Sequence, residues 1–104
     1  MSQLENIMPY TLYESKTQNK KYDIYVVNPA SNRFKKVSFG ALGYGDYTTH
    51  HDKERRERYR LRHQHDNLDD PLSPGFWSWY VLWGKSTDIN KNVKSILNKL
   101  DLNY

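Results

Sequence analysis

The sequence predicts one small α+β domain, in which a β-hairpin or small antiparallel sheet over about residues 10–40 is followed by three helices. Runs rich in β-branched and aromatic residues come first, and capped segments with apolar residues at helical spacing come after them. Because 104 residues are too few for two sizeable cores, we expect a single domain over residues 10–104 and an N-terminal arm over residues 1–9.

The strands are predicted from runs at 11–15, 22–28 and 34–40. In the second run, which begins at Tyr22, every second side chain belongs to the same set. A period of two residues is typical of a strand, because its successive side chains point to opposite faces of the sheet. The segment PASNR joins the second and third runs, and its Pro, Ser and Asn suit a tight turn. We therefore expect a hairpin, followed from Gly40 by a glycine-rich bend in which positive φ angles lead the chain toward a helix.

The first helix is predicted over about residues 49–65, with Thr48 or Thr49 as its N-cap. Its central segment carries a net charge of +4, equal to the formal charge of the whole chain. The basic residues of this segment are Lys53, Arg55, Arg56, Arg58, Arg60 and Arg62. We predict that they form a partner-binding surface, because guanidinium groups bind phosphates and carboxylates bidentately. The alternative is a solvated helix face with local ion pairs.

Helical spacing divides these arginines into two rows. Arg55, Arg58 and Arg62 fall on one face of the helix, and Arg56 and Arg60 form a neighbouring row. Either row is therefore able to present a line of guanidinium groups to an acidic partner.

The second helix is predicted over about residues 74–83, with Ser73 as its N-cap and Pro74 as its first residue. Its expected core face has the spacing i, i+3, i+4 and i+7. This face consists of Phe76, Trp79, Tyr80 and Trp83. Trp77 falls on the other side of the helix, and we predict that it contacts a partner.

The third helix is predicted over about residues 87–100, with Ser86 or Thr87 as its N-cap. Its apolar residues form one continuous stripe, which consists of Ile89, Val93, Ile96, Leu97 and Leu100. A stripe of this kind is typical of a helix that packs on a core.

No catalytic residue, metal site, cofactor or small-molecule substrate is predicted. The chain has no cysteine, which excludes thiolate ligands and thiol nucleophiles and fits a reducing compartment. The nearest candidates for a shared metal ion match no recognised ligand spacing; they are His63 with His65, and His50 with Asp46 or Asp52. One catalytic alternative stays open, a small nuclease that uses Asp46 and His50 beside Arg55. The sequence also lacks a signal peptide and any apolar run long enough to span a membrane.

Several motifs resemble a family of short uncharacterised proteins of nucleocytoplasmic large double-stranded DNA viruses. They are KKY at 20–22, VSFGALGYGDYTTHHD at 37–52, RRERYRLRH at 55–63 and GFWSWYVLWGKST at 75–87. The resemblance implies a viral origin, and it implies no catalytic residue because the family has no assigned activity.

With this resemblance and the high aromatic content, we expect a virion structural protein located in the virion, and in the host cytoplasm before assembly. It would be a minor capsid or capsid-lining protein that bridges other shell proteins, with the basic helix paired to their acidic surfaces. The alternative is a basic nucleic-acid-binding protein involved in genome packaging, in which the same arginines contact phosphates.

Overall fold

The computed structural model describes residues 8–100, and the predicted order of a small antiparallel sheet followed by helices is confirmed. Most of the predicted arm, residues 1–7, lies outside the described residues. The strands are β1 (Leu12–Glu14), β2 (Lys20–Asn28) and β3 (Arg33–Ala41). The helices are α1 (Tyr47–His50), α2 (Lys53–His63), α3 (Pro74–Trp77) with a π-helical turn (Ser78–Leu82) directly after it, and α4 (Ile89–Lys99).

The three strands form an antiparallel sheet in the order β1-β2-β3. Ile24 in the central strand lies opposite Leu12 on one side and Val37 on the other. Because directly opposite residues point to the same face of a sheet, these side chains form one apolar surface with Tyr22, Val26 and Phe39. The predicted hairpin is confirmed, and its turn is closed by a hydrogen bond from the Asn32 amide to the Asn28 carbonyl.

The core lies between this apolar face and the helical layer formed by α3, the π-helical turn and α4. Trp77 is fully buried there, and its Nε1 donates a hydrogen bond of 2.7 Å to the Pro71 carbonyl. The prediction that Trp77 contacts a partner is therefore wrong. Phe76 and Trp79 are buried as expected, whereas Tyr80 and Trp83 are only partly buried.

Trp77 is buried because the helical segment 74–83 is covered by the rest of the protein on most of its sides. Val81, which is one helical turn after Trp77 on the same side, is fully buried as well. After α3 the backbone changes to i→i+5 hydrogen bonding, shown by the bond from the Trp83 amide to the Ser78 carbonyl. This change shifts the rotation of later side chains, so the α-helical spacing does not predict which of them face the core.

The first predicted helix is divided into α1 and α2, and its N-cap is neither Thr48 nor Thr49. Asp46 caps α1 in a reciprocal arrangement with the Thr49 side chain. His51 then adopts a left-handed conformation with φ of 58°, which ends α1. Asp52 caps α2 by accepting hydrogen bonds from the two amides that follow Lys53.

The last helix, α4, is fastened to the core by the buried side chain of Asn92. Its Nδ2 donates to the carbonyls of Val81 (2.9 Å) and Ser86 (2.7 Å), and its Oδ1 accepts from the Ser86 amide. Ser86 is thus held in the preceding loop, and the N-cap of α4 is Asp88, not Ser86 or Thr87. Gly84 packs so tightly here that a Cβ atom would lie 2.3 Å from the Tyr80 carbonyl oxygen.

Candidate functional site

A groove of about 500 Å³ lies between one end of the sheet, helix α2 and the start of α3. We call it the arginine groove, after the three arginines of α2 that line it. Its cationic lining residues are Lys20, Lys21, Arg55, Arg58 and Arg62. Two carboxylates, Asp46 and Asp66, also line it, so the basic residues outnumber the acidic ones.

Arg55, Arg58 and Arg62 line the groove together, as their helical spacing predicts. All three are exposed. Their guanidinium groups make no ion pair or hydrogen bond with any other part of residues 8–100. The row is therefore available to an anionic ligand. Lys53 is exposed but does not line the groove.

The neighbouring row, Arg56 and Arg60, is occupied within the fold. Arg56 Nε donates to the Gly84 carbonyl at 2.7 Å, and an Arg60 Nη atom donates to the Trp83 carbonyl at 3.0 Å. The Arg60 guanidinium also lies 3.9 Å from the centroid of the Trp79 ring. Helical segments end in carbonyls without an internal partner, and these two arginines satisfy them. Their assignment to a partner-binding surface stays a prediction, which these internal contacts do not favour.

We predict that alanine substitution lowers stability in the neighbouring row and leaves it nearly unchanged in the exposed row. We expect Arg60→Ala to lower the free energy of unfolding by about 1–2 kcal/mol, because it leaves the Trp83 carbonyl without its donor and removes the contact with Trp79. Arg58→Ala on the exposed row is expected to change it by less than about 0.5 kcal/mol. Urea unfolding of both variants measures the difference, and equal stability of the two would contradict the division into rows.

An aromatic stack forms part of the groove wall. The Tyr59 ring lies between Trp83, at 4.3 Å with an interplanar angle of 5°, and His63, at 4.2 Å. His63 Nδ1 lies 2.8 Å from Oδ2 of Asp66. Burial, reinforced by the nearby charge of Asp66, raises the pKa of Tyr59 to about 12. Tyr59 is a neutral phenol at physiological pH, as an ordinary tyrosine is, so this ring adds no negative charge to the groove wall.

A buried ion pair connects the sheet to the start of α1. Lys21 Nζ lies 2.6 Å from Oδ2 of Asp46, and Oδ1 of Asp46 accepts from the amide and hydroxyl of Thr48. Both carboxylate oxygens are thus engaged in capping and pairing. Asp46 does not present a free carboxylate to the groove, and the nuclease alternative gains no support from its geometry.

His50 lies beside the groove with its ring packed at 5.3 Å from Trp83. Its Nδ1 accepts a hydrogen bond of 2.8 Å from the Asp52 amide. Its Nε2 is buried and has no hydrogen-bond partner among the described residues. Burial, followed by the positive charge of Arg55, lowers the pKa of His50 from its usual value of 6.5.

This lowered pKa predicts a loss of stability in mild acid. The unfolded chain binds the proton of His50 more readily than the folded chain does, so stability falls as the pH drops from about 6.5 through the lower folded pKa. We expect His50→Gln to lose less stability than the parent chain between about pH 7 and 5. Urea midpoints measured across this range test it, and parallel pH profiles would contradict it.

Within residues 8–100, no group of three or more His, Asp or Glu side chains is placed to hold a metal ion. Over the same range, no helix is long and apolar enough to cross a membrane. Of the four histidines, His50 and His63 are held by contacts within the fold, and His63 alone lines the groove among the described residues.

Comparison with known proteins gives one informative match. The model of a family of unknown function matches residues 10–63 of the chain. This range spans the sheet, α1 and α2, and so contains every cationic residue of the arginine groove. No curated protein and no solved structure matches the chain.

Proposed function

The chain belongs to DUF5754, a family of unknown function, and from its own geometry we propose that it is a non-enzymatic protein that binds the phosphate backbone of nucleic acid in the arginine groove. The observation that carries this proposal is the row of Arg55, Arg58 and Arg62, exposed and without internal partners along one wall of a concave surface.

A concave basic surface favours a phosphate backbone as the ligand. Consecutive phosphates present a line of negative charges, and a row of guanidinium groups along a helix matches such a line. Lys20 adds a positive charge on the opposite wall, where it is exposed at the start of β2. The geometry thus favours nucleic-acid binding over docking within a capsid, although nucleic-acid binding is only the alternative in the interpretation of the sequence.

The experiment is a titration of fluorescently labelled oligonucleotides of about 20 nucleotides, longer than the roughly 4–16 that a small domain covers. Anisotropy is measured at several salt concentrations. Affinity is expected to fall by orders of magnitude between about 50 mM and 200 mM salt, because bound phosphates release counterions. Absence of binding at the lowest salt concentration overturns the proposal.

Docking within a virus shell is the second candidate, and one observation favours it. Leu61 is 67% exposed on α2 and lies one helical turn from Arg58 on the helix surface. An exposed apolar side chain beside an arginine is a typical feature of a protein interface. Together with the resemblance to viral proteins, this supports a minor capsid protein that bridges its neighbours.

Mass spectrometry of purified particles tests this candidate. A capsid-lining role predicts the chain in stoichiometric amounts in virions of the virus that encodes it, and its absence from them excludes the role. Leu61→Ser then separates the two functions. It is expected to reduce incorporation into particles while leaving oligonucleotide affinity unchanged, because serine alters no charge in the groove.

A further inference from the structure

We propose that the arginine groove takes a single strand rather than a duplex, with one unpaired base stacked on the ring of Tyr44. This inference rests on the proposed function and specifies the form of nucleic acid. It depends on an aromatic side chain that the fold itself does not use.

Tyr44 lies in the bend between β3 and α1, at the edge of the groove. It is 75% exposed, and it is the only exposed tyrosine among residues 8–100. Its amide donates to the Ala41 carbonyl, which fixes the backbone of the bend, while its ring makes no aromatic or hydrogen-bonded contact with residues 8–100. Folding thus gains little from this ring, and a ligand is free to cover it.

The arginines that line the groove together with Tyr44 fit the ligand chemistry. Arg55 and Arg58 line the same groove and carry unpaired guanidinium groups, so a phosphate next to a stacked base has a cation within the site. An exposed ring beside a basic row is the combination that single-strand-binding proteins use, since every base has a face that stacks.

The form of the groove favours an unpaired strand. Its volume of about 500 Å³ is that of a small-ligand pocket, which admits a nucleotide unit. In a duplex both faces of a base are already covered by its neighbours, so a protein ring reaches a base only after unstacking it, at a cost of a few kcal/mol. A single strand avoids this cost.

The test compares three probes by competition at matched phosphate number: single-stranded DNA, a duplex of half its length, and inorganic polyphosphate. Tyr44→Ala is expected to weaken single-strand binding roughly tenfold, within the range known for one base stacked on an aromatic ring. It should leave polyphosphate affinity and the salt dependence unchanged, because no charge is removed. Tyr44→Phe keeps the ring and is expected to bind like the parent chain.

The outcomes separate this inference from the proposed function. Equal binding of single strand and duplex, with no loss in Tyr44→Ala, overturns the single-strand inference but leaves phosphate binding in place. No binding of any of the three probes at low salt overturns both. Equal affinity for polyglutamate of matched charge indicates an acidic protein as the partner and also overturns both.

Discussion

Replacement of Trp77 by alanine is expected to lower the free energy of unfolding by about 3–5 kcal/mol, the usual cost of removing a large buried aromatic side chain. Trp77 is fully buried and is the largest such side chain in the described core. It also donates a hydrogen bond of 2.7 Å to the Pro71 carbonyl, which would lose its partner. Domains of this size are stable by only about 5–15 kcal/mol, so the loss takes a large part of the total.

Thermal and urea unfolding followed by circular dichroism measure this loss. The melting temperature should fall by more than about 10 °C. Tyr44→Ala provides the matched control, because it also removes an aromatic ring but from a side chain that is 75% exposed. Its stability should stay within about 0.5 kcal/mol of the parent chain. If the Trp77→Ala variant is as stable as the parent chain, the result contradicts a core role for Trp77 and supports the sequence-based prediction that its indole contacts a partner.

The error about Trp77 arises from the local backbone geometry. Residues 74–83 are apolar at nearly every position, so a choice of core face from i, i+3, i+4 spacing has little contrast to work with. The π-helical turn at Ser78–Leu82 then changes the spacing itself. By contrast, α4 has a clear apolar stripe, and Ile96 and Leu97 of that stripe are buried as expected.

The sequence predicts that the helices exist more accurately than it predicts the residue at which each one begins. Several residues able to cap a helix stand close together before α2 and before α4, and the N-cap preferences of Asp, Ser and Thr differ too little to decide between them. In both cases an aspartate, Asp52 or Asp88, is the cap instead of the preceding hydroxyl residues. For α4 the decision comes from Asn92, which holds Ser86 in the loop through two hydrogen bonds. The sequence pattern around α4 does not predict this contact between Asn92 and Ser86.

The sequence predicts only one wall of the arginine groove. The period of the sequence places Arg55, Arg58 and Arg62 on one face, and they do line one wall. The second wall and the floor come from distant segments around Lys20, Tyr44 and Gly75, whose proximity depends on the tertiary fold. The fold also decides that Arg56 and Arg60 bind carbonyls at the end of the π-helical turn, which their charge alone does not reveal.

Alanine at Arg55, Arg58 and Arg62 together is expected to weaken binding of single-stranded DNA roughly a hundredfold or more at low salt, because each charge-assisted contact contributes on the order of 1 kcal/mol or above. The slope of log affinity against log salt should become shallower by about 2, since each lost phosphate contact removes about 0.7 for a single strand. Because none of the three guanidinium groups has a partner within residues 8–100, the triple variant should fold normally.

The matched control removes the same charge elsewhere. Arg33, Lys91 and Lys94 are exposed and do not line the groove, so their triple alanine variant has the same net charge as the groove variant. If a local row of arginines binds phosphate, the control keeps most of its affinity and its salt slope. If both variants lose affinity equally, binding follows net charge alone, and the groove has no special part in it.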